Sequence, residues 1–343
     1  MLRVKKEGAI LDITDRDFEN ESVLNPAVIK VGDTVHMFYR AVRKGNHSTI
    51  GYCKLDGPMT VSHRDNVPLI SPEFEYESRG VEDARIVNID GLYYLTMTSY
   101  DGTNALGSLL TSTNLKDFER HGIIVPQITY DEFHRLAESN IKVNKKYKRF
   151  HIQNNTDERN KTPILLSDKN VMFFPRKIDG KFYFLHRIRP DIQIACVEDI
   201  KDLGKDFWDD YLMHFDKHIL MTPKYDHEIS YIGGGCPPIE TKDGWLLIYH
   251  GVHDSLHGYV YSACAALLDL NDPTKEIARL PYPLFKPEFE WELKGEVNNV
   301  VFPTGTALFG DQLYIYYGAA DTRIAVASVS ISELTEELLL HSV

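Results

Sequence analysis

The chain reads as an all-β protein, a five-bladed β-propeller, on three observations. A turn-plus-strand pattern returns five times, a second strand rich in small residues follows each copy, and helical periodicity is sparse. The five copies are Val31–Arg40, Ile89–Thr98, Ile178–Arg187, Lys242–His250 and Phe309–Gly318. Each opens on a Gly/Asp pair, where glycine supplies the positive φ of a tight hairpin, and continues with Val, Ile, Phe and Tyr suited to a half-buried pleated surface. The following strands are Ile50–Lys54, Leu106–Thr111, Ile192–Val197, Tyr261–Leu268 and Ile324–Val329. Their small side chains suit sheets crowded face to face around an axis, and a spacing of about 60–90 residues fits one four-stranded sheet plus loops. A β-sandwich with similar hairpins is the competing architecture.

The remaining segments follow from this frame. Asp131–Val143 can form a short helix, and the basic, Asn-rich stretch Lys142–Lys161 reads as a solvated insertion between the second and third repeats. No linker composition interrupts the chain, so residues 1–343 are expected to form one domain with an insertion around 125–165. Ser332–Leu340 is a closing strand or a C-terminal helical turn.

Composition narrows the function. The 343 residues are 43% hydrophobic, 26% charged and 11% aromatic, which excludes a disordered or low-complexity chain. The formal charge of -12, from 38 basic and 50 acidic residues, opposes nucleic acid as a partner. No apolar run approaches the roughly 20 residues of a membrane span, and the first residues lack the pattern of an export signal. The expectation is a cytoplasmic enzyme, or a periplasmic or surface one if a leader has been removed, with a homo-oligomer left open. Cys53, Cys196, Cys236 and Cys264 lie too far apart for a zinc motif and are expected as buried thiols, with no metal site.

In a propeller, polar residues at strand ends meet at one mouth of the axial channel. Arg40, His186 with Arg187, Tyr249 with His250, and Asp321 end four of the repeated strands, and Arg79-Gly80-Val81-Glu82-Asp83-Ala84-Arg85 precedes the fifth. Carboxylates, guanidinium groups and aromatic faces together suit a neutral sugar. Asp83 is the first candidate for chemistry, against an ion pair with Arg79 or Arg85. Glu228 is the second, beside the rigid Gly233-Gly234-Gly235 run, against an exposed loop carboxylate. That glycine run lacks the GxxxxGK[ST] context of a phosphate loop.

The motifs Asn25-Pro26-Ala27, Phe38-Tyr39-Arg40, Gly80–Arg85, Asp168–Arg176, Leu185-His186-Arg187, Gly233–Pro238 with Gly244–Val252, Leu267–Pro273 and Tyr317–Thr322 resemble glycoside hydrolase family 130. The resemblance implies a five-bladed propeller acting on β-mannosides with inversion. Asp83 is then the catalytic acid, passing its proton through a sugar hydroxyl, and Asn25, Arg40 and Asp321 hold the mannose whose bond is cleaved. Arg43, Arg79 and Tyr231 complete the expected substrate-binding set. Lys169, Arg187 and His250 fall at or near positions where phosphorylases of the family cradle inorganic phosphate.

One departure sets the expected reaction. Phosphorylases of the family carry a lysine two residues before the first glycine of the run, where this chain has Tyr231. A lost charge-assisted contact costs about 1.5–3 kcal/mol. The sequence therefore favours an inverting hydrolase of β-1,2-mannosides, with Glu228 as the base that activates water opposite Asp83. The alternatives are a β-mannoside phosphorylase that makes mannose 1-phosphate, and a non-catalytic sugar-binding propeller. No cofactor is expected, with phosphate a co-substrate only for the phosphorylase.

Overall fold

The computed structural model describes residues 2–139, 143–148, 163–256 and 258–342. The chain is mostly β. The N-terminal strand β1 (Lys5–Leu11) is followed by antiparallel runs of three to five strands that take up the five sequence repeats. The first run is β2 (Ser22–Val31), β3 (Thr34–Arg43), β4 (His47–Asp56) and β5 (Thr60–Arg64). The second is β6 (Gly80–Ile89), β7 (Leu92–Tyr100), β8 (Ala105–Ser112) and β9 (Glu119–Ile123). A single parallel bridge from Ser48 to Gly80 joins these two into one sheet. The third run is β10 (Lys169–Phe173), β11 (Phe182–Arg187), β12 (Ile192–Val197) and β13 (Ile219–Met221). In the fourth, β14 (Tyr231–Gly234) and β15 (Ile239–Thr241) both pair with β16 (Gly244–Ser255), followed by β17 (Gly258–Leu268) and β18 (Glu276–Arg279). The fifth holds β19 (Val301–Phe309), β20 (Gln312–Ala319) and β21 (Arg323–Ser330), and β1 supplies its fourth strand by pairing with β21.

The repeated turns behave as their sequences require. Asp90 and Gly91, at φ 53° and 86°, and Asp179 and Gly180, at 49° and 77°, occupy the two left-handed positions of a tight hairpin. Each repeated strand is the second of its run rather than the first, and the small-residue strands are the third. The first strands β2, β6, β10, β14 and β19 precede the turns and pack on one another: β2 against β6 and β19, and β10 against β6 and β14. These first strands, together with the ends of the second, bring the site residues into one region.

Three expectations outside the sheets are adjusted. The expected helix spans Tyr130–Ala137, opened by a capping box between Thr129 and Glu132. The closing segment is the helix Ile331–Leu339, capped by Ser330, while the strand that completes the last run comes from the N-terminus. Much of the expected insertion, residues 140–142 and 149–162, lies outside the described residues. All four cysteines are free thiols, and no described helix is long and apolar enough to cross a membrane.

Candidate active site

Local backbone geometry aims the site. Strands β2, β6 and β10 each lose register for a few residues, between Leu24 and Ala27, Glu82 and Arg85, and Lys169 and Met172. In each break one residue takes the left-handed conformation: Asn25 at φ 48°, Asp83 at 51° and Asn170 at 58°. A non-glycine residue held there costs about 1–2 kcal/mol, and such bulges redirect side chains that a regular strand would point elsewhere. Asp321, just beyond β20, is held at 51°. Two glycines make room. A Cβ on Gly318 would sit 2.1 Å from Asn25 Oδ1, and one on Gly233 would meet His250 at 2.5 Å and Arg187 at 2.8 Å.

Asn25, Arg40, Asp83 and Asp321 line one part of a cavity of about 150 Å³, and Lys169, Arg187, Arg189, Tyr231 and Tyr261 line another. At the carboxylate end, Asn25 Nδ2 donates to Asp83 Oδ1 at 2.7 Å. Arg40 stands 3.8 Å from the same oxygen and pairs with Glu82 at 2.8 Å, its Nε donating to Ser48 Oγ at 2.9 Å. Burial pushes the Asp83 carboxyl up, but Arg40, Lys169, Asn25 and Arg85 outweigh it and hold the group below the usual aspartate range. Asp321 shares the cavity with the opposite result. Its burial, and the neighbouring Asp83 and Glu82 charges, outweigh Arg40 and Lys169, and its carboxyl is pushed up to about 6.

The other end is cationic. Burial and the neighbouring Arg189 bring the Arg187 guanidinium down to about 10. Among the described residues its buried Nε has no hydrogen-bond partner. Lys169 is lowered by burial and by the two arginines, against the pull of Glu82 and Asp83. Arg187 and Arg189 lie 5.5 Å and 4.5 Å from the centre of the Tyr231 ring, and the Tyr231 and Tyr261 hydroxyls are in hydrogen-bond contact. His250 backs Arg187 at 3.3 Å instead of lining the cavity. Burial and the surrounding cations push its imidazole well below the usual histidine range, toward the neutral form. Crowded, desolvated cations with an unsatisfied donor suit an anion.

Three sequence expectations are redrawn by this geometry. Arg43 and Arg79 are exposed and line no part of the cavity; Arg79 Nη1 approaches His47 Nε2 at 3.3 Å. Glu228 is also absent from the cavity. Its fully buried carboxylate accepts from the backbone N–H groups of Lys224 and Tyr225 at 2.9 and 3.3 Å, from the Tyr249 hydroxyl, and from Arg279 at 3.1 Å. With three donors on Oε2, the Tyr249 hydroxyl on Oε1 and no place in the cavity lining, Glu228 is held away from where a water would be activated. His227, Glu228 and Cys264 are close enough together to hold a metal ion, but Arg279 already occupies that carboxylate, so the donor set does not fit a cation.

The surroundings of Glu228 recur. Glu19 accepts from Tyr39 and Arg64, each at 2.7 Å; Glu77 from Ser99 at 3.2 Å and Arg120 at 2.8 Å; Glu292 from Tyr317 and Lys6, each at 2.6 Å. In every case a buried glutamate on the turn before a first strand fastens a residue of the second strand and a cation of the outermost strand. Glu228, with Tyr249 on β16 and Arg279 on β18, is the same clamp.

Sequence reasoning missed Arg189, Tyr261 and Phe302. Arg189 lies in the turn just past β11, where strand alternation no longer places a side chain. Tyr261 and Phe302 carried no motif.

A mostly β chain with buried carboxylates and several cations lining one cavity fits an enzyme that acts on carbohydrate. The comparisons make this specific: the glycoside hydrolase family 130 model, described as beta-1,4-mannooligosaccharide phosphorylase, matches residues 7–338, and the chain belongs to that family. It is 35% identical over 342 residues to a 1,2-beta-oligomannan phosphorylase of Thermoanaerobacter sp. (strain X514), covering 97% of this chain and 98% of the relative. A beta-1,2-mannobiose phosphorylase from the same organism is 34% identical, covering 96% and 97%. Among solved structures, a beta-1,2-mannobiose phosphorylase from Listeria innocua, in complex with beta-1,2-mannobiose, superposes with a TM-score of 0.75 at 24% identity, covering 99% of this chain and all of the other.

Proposed function

We propose that the protein is an inverting phosphorylase of β-mannosides, built as a five-bladed propeller, that cleaves β-1,2-linked manno-oligosaccharides with inorganic phosphate. The observation that carries this reading is the cationic lining, Lys169, Arg187 and Arg189, in the same cavity as Asp83. The curated relatives, whose names describe phosphorylases of β-1,2-mannosides, support the same choice. Hydrolysis, which the sequence favoured, loses its base because Glu228 is a structural clamp. The lysine replaced by Tyr231 loses its weight as an argument too, since Arg189 brings a guanidinium over the Tyr231 ring.

In the proposed reaction, mannose lies between the two ends of the cavity, held by Asn25, Arg40 and Asp321. A phosphate oxygen bonds to the anomeric carbon as the bond to the glycosidic oxygen breaks on the opposite face. The departing oxygen takes the proton of Asp83, relayed through a sugar hydroxyl, and the products are mannose 1-phosphate and the shortened sugar. Asp83 is held ionised by Arg40 and Lys169 in the empty site. A phosphate dianion beside Lys169 offsets that field, which favours the protonated acid at the moment it is needed. This chemistry requires phosphate as co-substrate and calls on no metal or organic cofactor.

Incubating the protein with β-1,2-mannobiose, with and without phosphate, tests the reading. Mannose 1-phosphate formed only with phosphate is the expected result. Two equivalents of free mannose, formed at the same rate in its absence, would contradict it.

A further inference from the structure

The third run departs from the glutamate clamp. Where the others place glutamate, it places Asp168, which is fully buried. His186 Nδ1 lies 2.8 Å from Asp168 Oδ2 and, because a carboxylate can only accept, donates to it. The Nε2 of the same ring lies 2.7 Å from the Tyr211 hydroxyl, carried by the helix Lys205–Met213. Tyr211 is placed by packing: its hydroxyl lies 3.1 Å from the Ile194 carbonyl oxygen, and its ring stacks on His218 with centres 3.8 Å apart. No lysine or arginine pairs with Asp168 among the described residues; a histidine and a helix-borne tyrosine stand where the other runs use a cation.

This chain of contacts ends beside the cationic pocket. Lys169 directly follows Asp168, Arg187 directly follows His186, and Lys169 and Arg187 are partners across β10 and β11. Asp168 Oδ1 also accepts from the Arg187 backbone N–H at 3.2 Å. The strand pair is thus tied at the point from which both cations project.

We propose that Asp168, His186 and Tyr211 form a positioning relay that sets Lys169 and Arg187 for phosphate, an inference that rests on the phosphorylase reading. None of the three lines the cavity, so they act through the cations and not on the reacting atoms. The relay fixes the spacing of two donors that must meet one small dianion, and a displacement of either loses a charge-assisted contact.

The test compares Tyr211→Phe, which deletes one buried hydroxyl from the relay, with Tyr317→Phe, which deletes one from a glutamate clamp, and adds Asp168→Asn. Thermal unfolding, kcat, and the KM values for β-1,2-mannobiose and phosphate are measured for each. Tyr211→Phe is expected to raise the phosphate KM about tenfold, with kcat and the sugar KM nearly unchanged. Asp168→Asn should raise it further, and Tyr317→Phe should lower the melting temperature comparably without moving it. Equal thermal losses in the two tyrosine variants, with no change in phosphate KM, would overturn the relay. Calorimetric titration with inorganic phosphate separates the two proposals: in an enzyme that turns over without phosphate, weakened phosphate binding by Tyr211→Phe still supports the relay, and unchanged binding sinks it.

Discussion

Asp83 and Glu228 are both buried carboxylates near an arginine, and they show how differently burial can be used. Asp83 sits on a strained bulge, lines a cavity, and has Arg40 3.8 Å away. Glu228 sits on an unstrained turn with two backbone N–H groups, a tyrosine and an arginine directed at it. Strain and a charge facing open space mark a group kept for a substrate. A fully paired charge stabilises packing and has nothing left to offer. The fourfold recurrence of the glutamate clamp makes the second case an architectural element.

Substitutions can break this comparison. The largest effect is expected from Asp83→Asn, with phosphate-dependent turnover falling by about 10²–10⁴-fold while the melting temperature stays near that of the parent. Glu228→Ala should do the reverse, leaving the buried Tyr249 hydroxyl and the Lys224 and Tyr225 N–H groups without their acceptor, while Arg279 keeps Glu276 and the Thr222 carbonyl. Denaturant unfolding is expected to show a loss of about 1–3 kcal/mol, the cost of buried donors left unsatisfied. Arg189→Ala probes the cation that the sequence reading overlooked. Its phosphate KM should rise about ten- to a hundredfold, since one charge-assisted contact is worth about 1.5–3 kcal/mol, with the sugar KM little changed.

Asp321 sharpens the contrast in a pH-dependent way. Its folded value of about 6 lies above the ordinary 3.8, so the unfolded chain ionises more readily and ionisation opposes folding. The penalty is full above pH 6 and fades as pH falls through 6 toward 4. Asp321→Asn is therefore expected to stabilise the protein at pH 7.5, by up to about 3 kcal/mol, and to gain nothing near pH 4. Activity should fall as the mannose loses a contact. Melting curves across that range check the first part and sugar KM values the second.

Much of this organisation was legible in the chain. The Gly/Asp turns announced the repeats because left-handed positions admit few residues: two adjacent ones at Asp90-Gly91 and Asp179-Gly180, and a single glycine at Gly32 and Gly310. The first strands were not legible, since the bulges at Asn25, Asp83 and Asn170 break the two-residue alternation that reveals a strand. The pairing of β1 with β21 joins opposite ends of the sequence, which local periodicity does not report. Glu228 was misjudged although its role was written in the sequence. Pro72-Glu73-Phe74-Glu75-Tyr76-Glu77, Pro223-Lys224-Tyr225-Asp226-His227-Glu228 and Pro287-Glu288-Phe289-Glu290-Trp291-Glu292 share one pattern, proline followed by aromatic, acid and a final glutamate. A carboxylate repeated at matching positions points to the scaffold, whereas Asp83, whose counterparts are Asn25 and Asn170, points to the site.

The most direct test is the phosphate-dependent turnover of Glu228→Gln, counted per folded molecule below its melting temperature. The account predicts a kcat within about tenfold of the parent, together with a lowered melting temperature. An unchanged melting temperature with turnover reduced a thousandfold or more would return Glu228 to the chemistry and contradict the division of labour between the two carboxylates.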